Sequence, residues 1–225
     1  MTPAFSPSSR ARLTSYDLAR FPGHTLFDRI ARAVCSAGCL PRKELYESWE
    51  VARRTRRLFR GGRLVDFGGG HGLLGQMMLL LDDSSASALV VDAKIPPSAR
   101  TIHDALVDVW PRLGGRVQFL EARLQEVVLE PEDVVVSSHA CGALTDRVID
   151  RALDRRVPVA VLPCCHDEAT CDAGPLDGWM DHALAVDAMR AMRLARAGYQ
   201  VWTQEIPHAI TPKNRLLLGA PAGRL

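Results

Sequence analysis

The sequence predicts an α/β fold, a mostly parallel seven-stranded sheet with crossover helices, closed by a C-terminal antiparallel hairpin. Three observations predict it. The apolar run Arg63-Leu-Val-Asp-Phe67 passes directly into Gly68-Gly-Gly-His-Gly72 and then into the helix-forming stretch 73–81. Such a strand–turn–helix unit aims free backbone N–H groups at whatever lies above the turn. Short apolar runs then alternate with amphipathic segments, the pattern of a parallel sheet that binds ligands at the carboxyl ends of its strands. Two final apolar runs, 200–206 and 215–219, flank the turn-forming Thr211-Pro-Lys-Asn214 and read as a hairpin.

The elements follow in order. Residues 1–22 are rich in Pro and Ser and read as irregular. A short helix is predicted over 25–36, ended by Gly38 and Pro41. A longer one over 43–58 gathers Leu45, Trp49, Ala52 and Phe59 on one face. Strands are expected at 63–67, 88–92, 116–120, 133–137 and 158–162, with helices at 73–81, 98–110, 143–154 and 179–197. Gly198 stands where a helix commonly ends in a left-handed glycine. Along the last helix, Ala185, Ala188, Met189, Met192 and Ala195 are expected to face inward and Arg190, Arg193 and Arg196 outward. This divides the chain into an N-terminal helical extension, 1–60, and a Rossmann-like domain, 61–225.

With 225 residues, 47% of them hydrophobic, the chain can bury one full α/β core. No window approaches the roughly 18 apolar residues of a membrane helix, and the start carries no apolar signal segment. Six cysteines at irregular spacing suit reduced thiols, so a cytoplasmic protein is expected. Cys35 and Cys39 read as buried small apolar residues. Oligomeric state is not legible.

The glycine turn admits two cofactors. Gly70, Gly72 and Gly75 satisfy the G-x-G-x-x-G fingerprint of dinucleotide binding. Asp66, two residues before Gly68, makes the run D-x-G-x-G-x-G, the pattern of S-adenosylmethionine enzymes, in which the acid helps hold the amino-acid end of the cofactor. Asp92, twenty residues after Gly72, ends the next strand where a ribose finds a carboxylate acceptor. S-adenosylmethionine is favoured because a terminal hairpin closing a parallel sheet is characteristic of class I methyltransferases. The cofactor-binding residues expected are Asp66, Gly68, Gly70, Gly72, Asp92 and Ser138.

The fourth strand ends in Ser137-Ser-His-Ala-Cys-Gly142 with Thr145-Asp146 following, and the fifth in Pro163-Cys-Cys-His166. These runs resemble the H-x-C-G…T-D…C-C-x-H signature of a branch of class I methyltransferases. That branch includes the tRNA acceptor-stem 2′-O-methyltransferases and several methyltransferase-like proteins. There the second histidine stands one residue later than His166 does here. The segments Lys43-Glu-Leu-Tyr-Glu-Ser-Trp-Glu50 and Ile210-Thr-Pro-Lys-Asn-Arg-Leu-Leu217 resemble a bacterial subgroup of it. The resemblance covers residues 42–219 and implies methyl transfer from S-adenosylmethionine, with RNA modification as one outcome.

A hydroxyl acceptor must lose a proton, which a neutral imidazole can take near pH 7. His139 and His166 are the catalytic candidates, His139 first, with His71 in the glycine turn a third. Cys141, Cys164, Cys165 and Cys171 are expected to shape the pocket without metal; a zinc site is the alternative.

Residues 1–63 hold thirteen Lys and Arg against five Asp and Glu, a net of +8, whereas the remainder carries −6. Arg53, Arg54, Arg56, Arg57 and Arg60 fall on one predicted helix, so RNA, tRNA above all, is the expected partner through Arg53, Arg57 and Arg60. A solvated face, with Glu50 supporting Arg53 and Arg54, is the plainer reading. The remaining functional alternatives are a protein or small-molecule methyl acceptor, a nicotinamide-dependent oxidoreductase, and a cofactor-binding protein without catalysis.

Overall fold

A computed structural model describes residues 5–223; the first four residues of the extension and the last two of the chain lie outside it. The chain runs α1 (Leu26–Ala37), α2 (Arg42–Leu58), β1 (Leu64–Phe67), α3 (Leu73–Leu81), β2 (Ala88–Asp92) and α4 (Ser98–Val109). It continues β3 (Val117–Glu121), β4 (Val134–Ser137), α5 (Ala143–Arg155), β5 (Val159–Val161), α6 (His182–Arg196), β6 (Tyr199–Glu205) and β7 (Arg215–Pro221). The sheet order is β3-β2-β1-β4-β5-β7-β6. The first five strands are parallel, while β7 runs antiparallel to both β5 and β6. This is the Rossmann-like arrangement with a closing hairpin. Its strand order reverses between β1 and β4, where a ligand crevice opens at the carboxyl ends.

Alternate side chains of each strand serve opposite faces, as the period of two requires. Leu64, Val90 and Val134 join a core covered by α1 to α4; Val65, Val91 and Val135 join one covered by α5 and α6. Nearly every residue of α3 is buried, because it lies between the sheet and α2, and its sequence is accordingly apolar except for Gln76. The extension therefore shares the main core. Its arginines divide: Arg56 is buried and donates to Met78 O and Ser85 Oγ, while Arg53 and Arg54 both hold Glu50. Only Arg57 and Arg60 of the five are exposed, and Arg60 has Asp82 at 3.9 Å.

The last helix corrects the expected facing. Its buried residues are Ala185, Val186, Arg190 and Leu194, while Met192 is 46% exposed and Ala195 is also exposed. Arg190 goes inward because partners wait there. It donates to both carboxylate oxygens of Asp146 (3.0 and 2.7 Å) and to Gly142 O (3.1 Å). A buried charge is tolerated when it is paired and hydrogen-bonded in this way. The helix also starts three residues late, at His182, because the Asp181 side chain caps it by accepting from Leu184 N–H.

Candidate active site

Two adjoining cavities occupy the crevice at the strand-order reversal. One, about 310 Å³, lies against the glycine turn and is walled by Glu44, Ser48, Gly68 to His71, Ser138 and His139. The other, about 240 Å³, lies beyond Asp92 and is walled by Ala93, Ala122, Arg123 and Leu124. Gly68, Asp92 and Leu144 border both. A wider groove of about 520 Å³ runs between α6 and the hairpin, but it is remote from the glycine turn and mostly apolar.

The turn is built by its glycines. Gly72 sits at φ +72°, and a Cβ there would stand 2.8 Å from the Phe119 ring and 2.9 Å from Val90. Gly70, at φ +48°, meets only Asp92 Oδ2 at 4.0 Å, so a side chain there would project toward the cavity. Asp92 ties the turn to β2: its Oδ2 accepts the Gly70 N–H at 3.0 Å and its Oδ1 accepts the Lys94 N–H at 3.4 Å. The carboxylate stands where the cavities meet.

Asp66 is placed differently from expectation. It is 1% exposed and lies under the turn rather than on the cavity wall; Oδ2 accepts the Gly75 N–H at 3.2 Å, and Oδ1 is buried with no partner among the described residues. Burial pushes its carboxyl up to about 7, the Gly75 hydrogen bond opposes this, and Asp92 adds to it. Gly68, Gly70, Ser138 and His139 do line the cavity, and Gly72 supports it from behind.

His166 does not reach the cavity. Its side chain is 2% exposed, and Nε2 meets Asp187 Oδ1 at 2.7 Å. Asp187 is held in turn by Arg190 and by Arg215 (2.7 Å). Burial pushes its carboxyl up, but the contacts with His166 and Arg215 outweigh this and keep it below the usual range. That network draws the imidazole toward α6, so of the two catalytic candidates only His139 faces the cavity. His71 also lines it, with Nδ1 3.3 Å from Glu44 Oε2.

The signature residues around His139 fix their own loop. Ser137 Oγ donates to Phe67 O at 2.6 Å, and the Thr145 hydroxyl donates to Ala140 O. Asp146 anchors Arg190, which grips Gly142 O. Sequence reasoning missed Arg190, and it missed Glu44 and Ser48, although both lie in the quoted stretch 43–50.

Farther along the same strand ends, the sulfurs of Cys141, Cys164 and Cys165 all lie within 4.8 Å of one another, Cys141 and Cys164 at 2.8 Å. Burial pushes the Cys141 and Cys164 thiols up. Cys171 is buried and accepts from Arg190 at 3.8 Å.

The residues present fit an adenosine-bearing cofactor: a carboxylate acceptor at the cavity junction, a glycine whose missing side chain leaves the wall open, and an orphaned acid beneath. Residues 45–172 match a family described as a methyltransferase domain. The chain belongs to that family. Such a domain takes S-adenosylmethionine, so the G-x-G-x-x-G match at Gly70, Gly72 and Gly75 does not mark a nicotinamide site. The match begins inside α2, upstream of residue 61.

The fold is shared with an O-methyltransferase family protein from Burkholderia thailandensis at 18% identity (TM-score 0.54), over 95% of this chain and 64% of that one. It is also shared with the tRNA methyltransferase TrmK of B. subtilis at 18% identity (TM-score 0.51), over 79% of this chain and 65% of that one. The chain thus spans slightly under two thirds of the length of these structures. No protein of curated function matches the sequence. Among the described residues, no helix is long and apolar enough to cross a membrane.

Proposed function

We propose that the protein transfers the methyl group of S-adenosylmethionine to an RNA acceptor, with tRNA the first candidate. The observation that carries the RNA reading is the basic extension beside the cavity. Exposed Arg10 and Arg12 lie on a strap bonded to the start of α2, through Arg42 N–H to Ala11 O and Lys43 N–H to Ser9 O (both 3.0 Å). The same end of α2 sends Glu44 and Ser48 into the cavity. Arg57 and Arg60 extend the basic surface; Arg57 is nine residues past Ser48, about 14 Å along the helix. Arg53 contributes less, since it is already paired with Glu50.

When bound, the cofactor supplies a sulfonium-activated methyl group whose positive charge disappears on transfer. Asp92 accepts hydrogen bonds from the ribose. Ser138 and His139 border the space for the acceptor, and His139 takes the proton that a hydroxyl or amine acceptor must release. Holding the acceptor in line accounts for most of the rate.

The test is transfer of tritiated methyl from S-adenosylmethionine to fractionated cell RNA, protein and metabolites, with tRNA binding measured against salt. Label should enter the RNA fraction. Affinity should fall by about 0.7–0.9 log units per log unit of salt for each phosphate contact. Replacing Arg10 and Arg12, or Arg53, Arg57 and Arg60, with Gln should flatten that slope and leave cofactor affinity unchanged. Label confined to protein or metabolites, without salt-dependent tRNA binding, would put those acceptors ahead of RNA.

A further inference from the structure

The geometry points to a zinc site formed by the thiolates of Cys141, Cys164 and Cys165, with the fourth coordination position left to water or to the acceptor. The three side chains come from two segments, the loops leaving β4 and β5, and their sulfurs all lie within 4.8 Å of one another. Tetrahedral zinc with Zn–S bonds near 2.3 Å holds its sulfurs roughly 3.8 Å apart. The 2.8 Å between Cys141 and Cys164 must therefore open by about 1 Å. Cys141 and Cys165 are exposed and have room to turn.

Apolar packing does not account for this cluster. Cys35 shows what a packed thiol looks like here: it is fully buried in α1, among Ile30, Val34 and Leu40. Two of the three clustered thiols face solvent instead, on loops already fixed by the Thr145 hydroxyl, Arg190 and Asp187. A buried imidazole adjoins the cluster. His166 directly follows Cys165, its side chain is buried, and its Nδ1 has no partner among the described residues. Its Nε2 meets the Asp187 carboxylate at 2.7 Å. His166 stands outside the 4.8 Å group, so the thiols are the ligands and the imidazole their neighbour.

The donor set selects the metal. Three soft thiolates disfavour magnesium and calcium, which take oxygen, and suit zinc. Binding is redox-neutral: three S–H bonds release protons to solvent and three Zn–S bonds form. An open fourth position beside the His139 loop gives zinc the form it has in catalytic centres, where it lowers the pKa of a bound oxygen or thiol.

The site is tested by metal content, independently of methyl transfer and of cofactor affinity. The full chain, purified under reducing conditions without chelator, should contain about one zinc. Each of Cys141→Ser, Cys164→Ser and Cys165→Ser should cut that several-fold, while Cys39→Ser retains it. Should a serine variant fail to fold, chelator-stripped wild type titrated with zinc or cobalt(II) gives the answer: roughly one equivalent taken up with proton release, and thiolate-to-cobalt absorption bands. Wild type that neither carries zinc nor takes it up after stripping overturns the proposal. So does retention of zinc by all three serine variants, or a Cys141–Cys164 disulfide in the reduced protein.

Discussion

Replacing Asp92 with Ala removes the one carboxylate that, among the described residues, borders both cavities, together with the acceptor that holds the Gly70 N–H at 3.0 Å. A hydrogen bond to a charged group contributes on the order of 1.5–3 kcal/mol, so losing the ribose contact should weaken S-adenosylmethionine by roughly 10- to 100-fold. The demethylated product should weaken equally, because the ribose is common to both. Freeing the Gly70 N–H loosens the turn and pushes the effect toward the upper end of that range. Asp92→Asn separates the two contributions: its amide oxygen can still accept from Gly70, so it should lose less than the alanine variant. Isothermal titration of each variant with both ligands measures this, with circular dichroism to confirm the fold. A folded Asp92→Ala protein with wild-type dissociation constants would refute the reasoning and remove Asp92 from the site.

Two further outcomes are expected. Arg190→Met should destabilise the protein by on the order of 3 kcal/mol in urea unfolding, since it strips Asp146 and the Gly142 carbonyl of a buried partner; Arg215 and His166 still support Asp187 and limit the loss. A loss within about 0.5 kcal/mol, the range of ordinary surface substitutions, would contradict the network. Asp66, raised by burial to about 7 from 3.8, binds its proton in the folded state across that interval while the unfolded chain does not. Its contribution to stability is therefore fully present below 3.8 and is lost as pH rises through 7. Asp66→Asn should gain on wild type by on the order of 2–3 kcal/mol between pH 5 and pH 8, read from unfolding curves at both. A constant difference would show that Asp66 ionises normally.

The elements bounded by strong local signals were the legible ones. The helix 73–81 and the strand 88–92 match residue for residue, because a glycine or an aspartate closes a mainly apolar run at one end of each. The hairpin was readable from its two apolar runs, although its connection, 206–214, is longer than the Thr211–Asn214 turn alone. Where the sequence misled, the deciding partner lay far away. An arginine on a helix is assigned to solvent unless something inside can receive it. For Arg190 that receiver is Asp146, 44 positions earlier. His166 was misplaced for the same reason, since Asp187 and Arg215 claim it from other elements. The glycine turn announced one wall of the cavity; Glu44 and Ser48, from a helix that precedes the first strand, carry no local mark of the role.

That opposite wall has a consequence for where the unit begins. A fragment cut at Gly61 would keep every glycine, histidine and cysteine motif read above. It would also strip α2 from α3 and leave the face of that apolar helix that packs on α2 without its cover. An apolar helix of that kind, opened to water, is an adhesive surface prone to self-association. The stretch before the first strand thus shares the core of the domain, and a fragment that folds without self-association is expected to start upstream of α2.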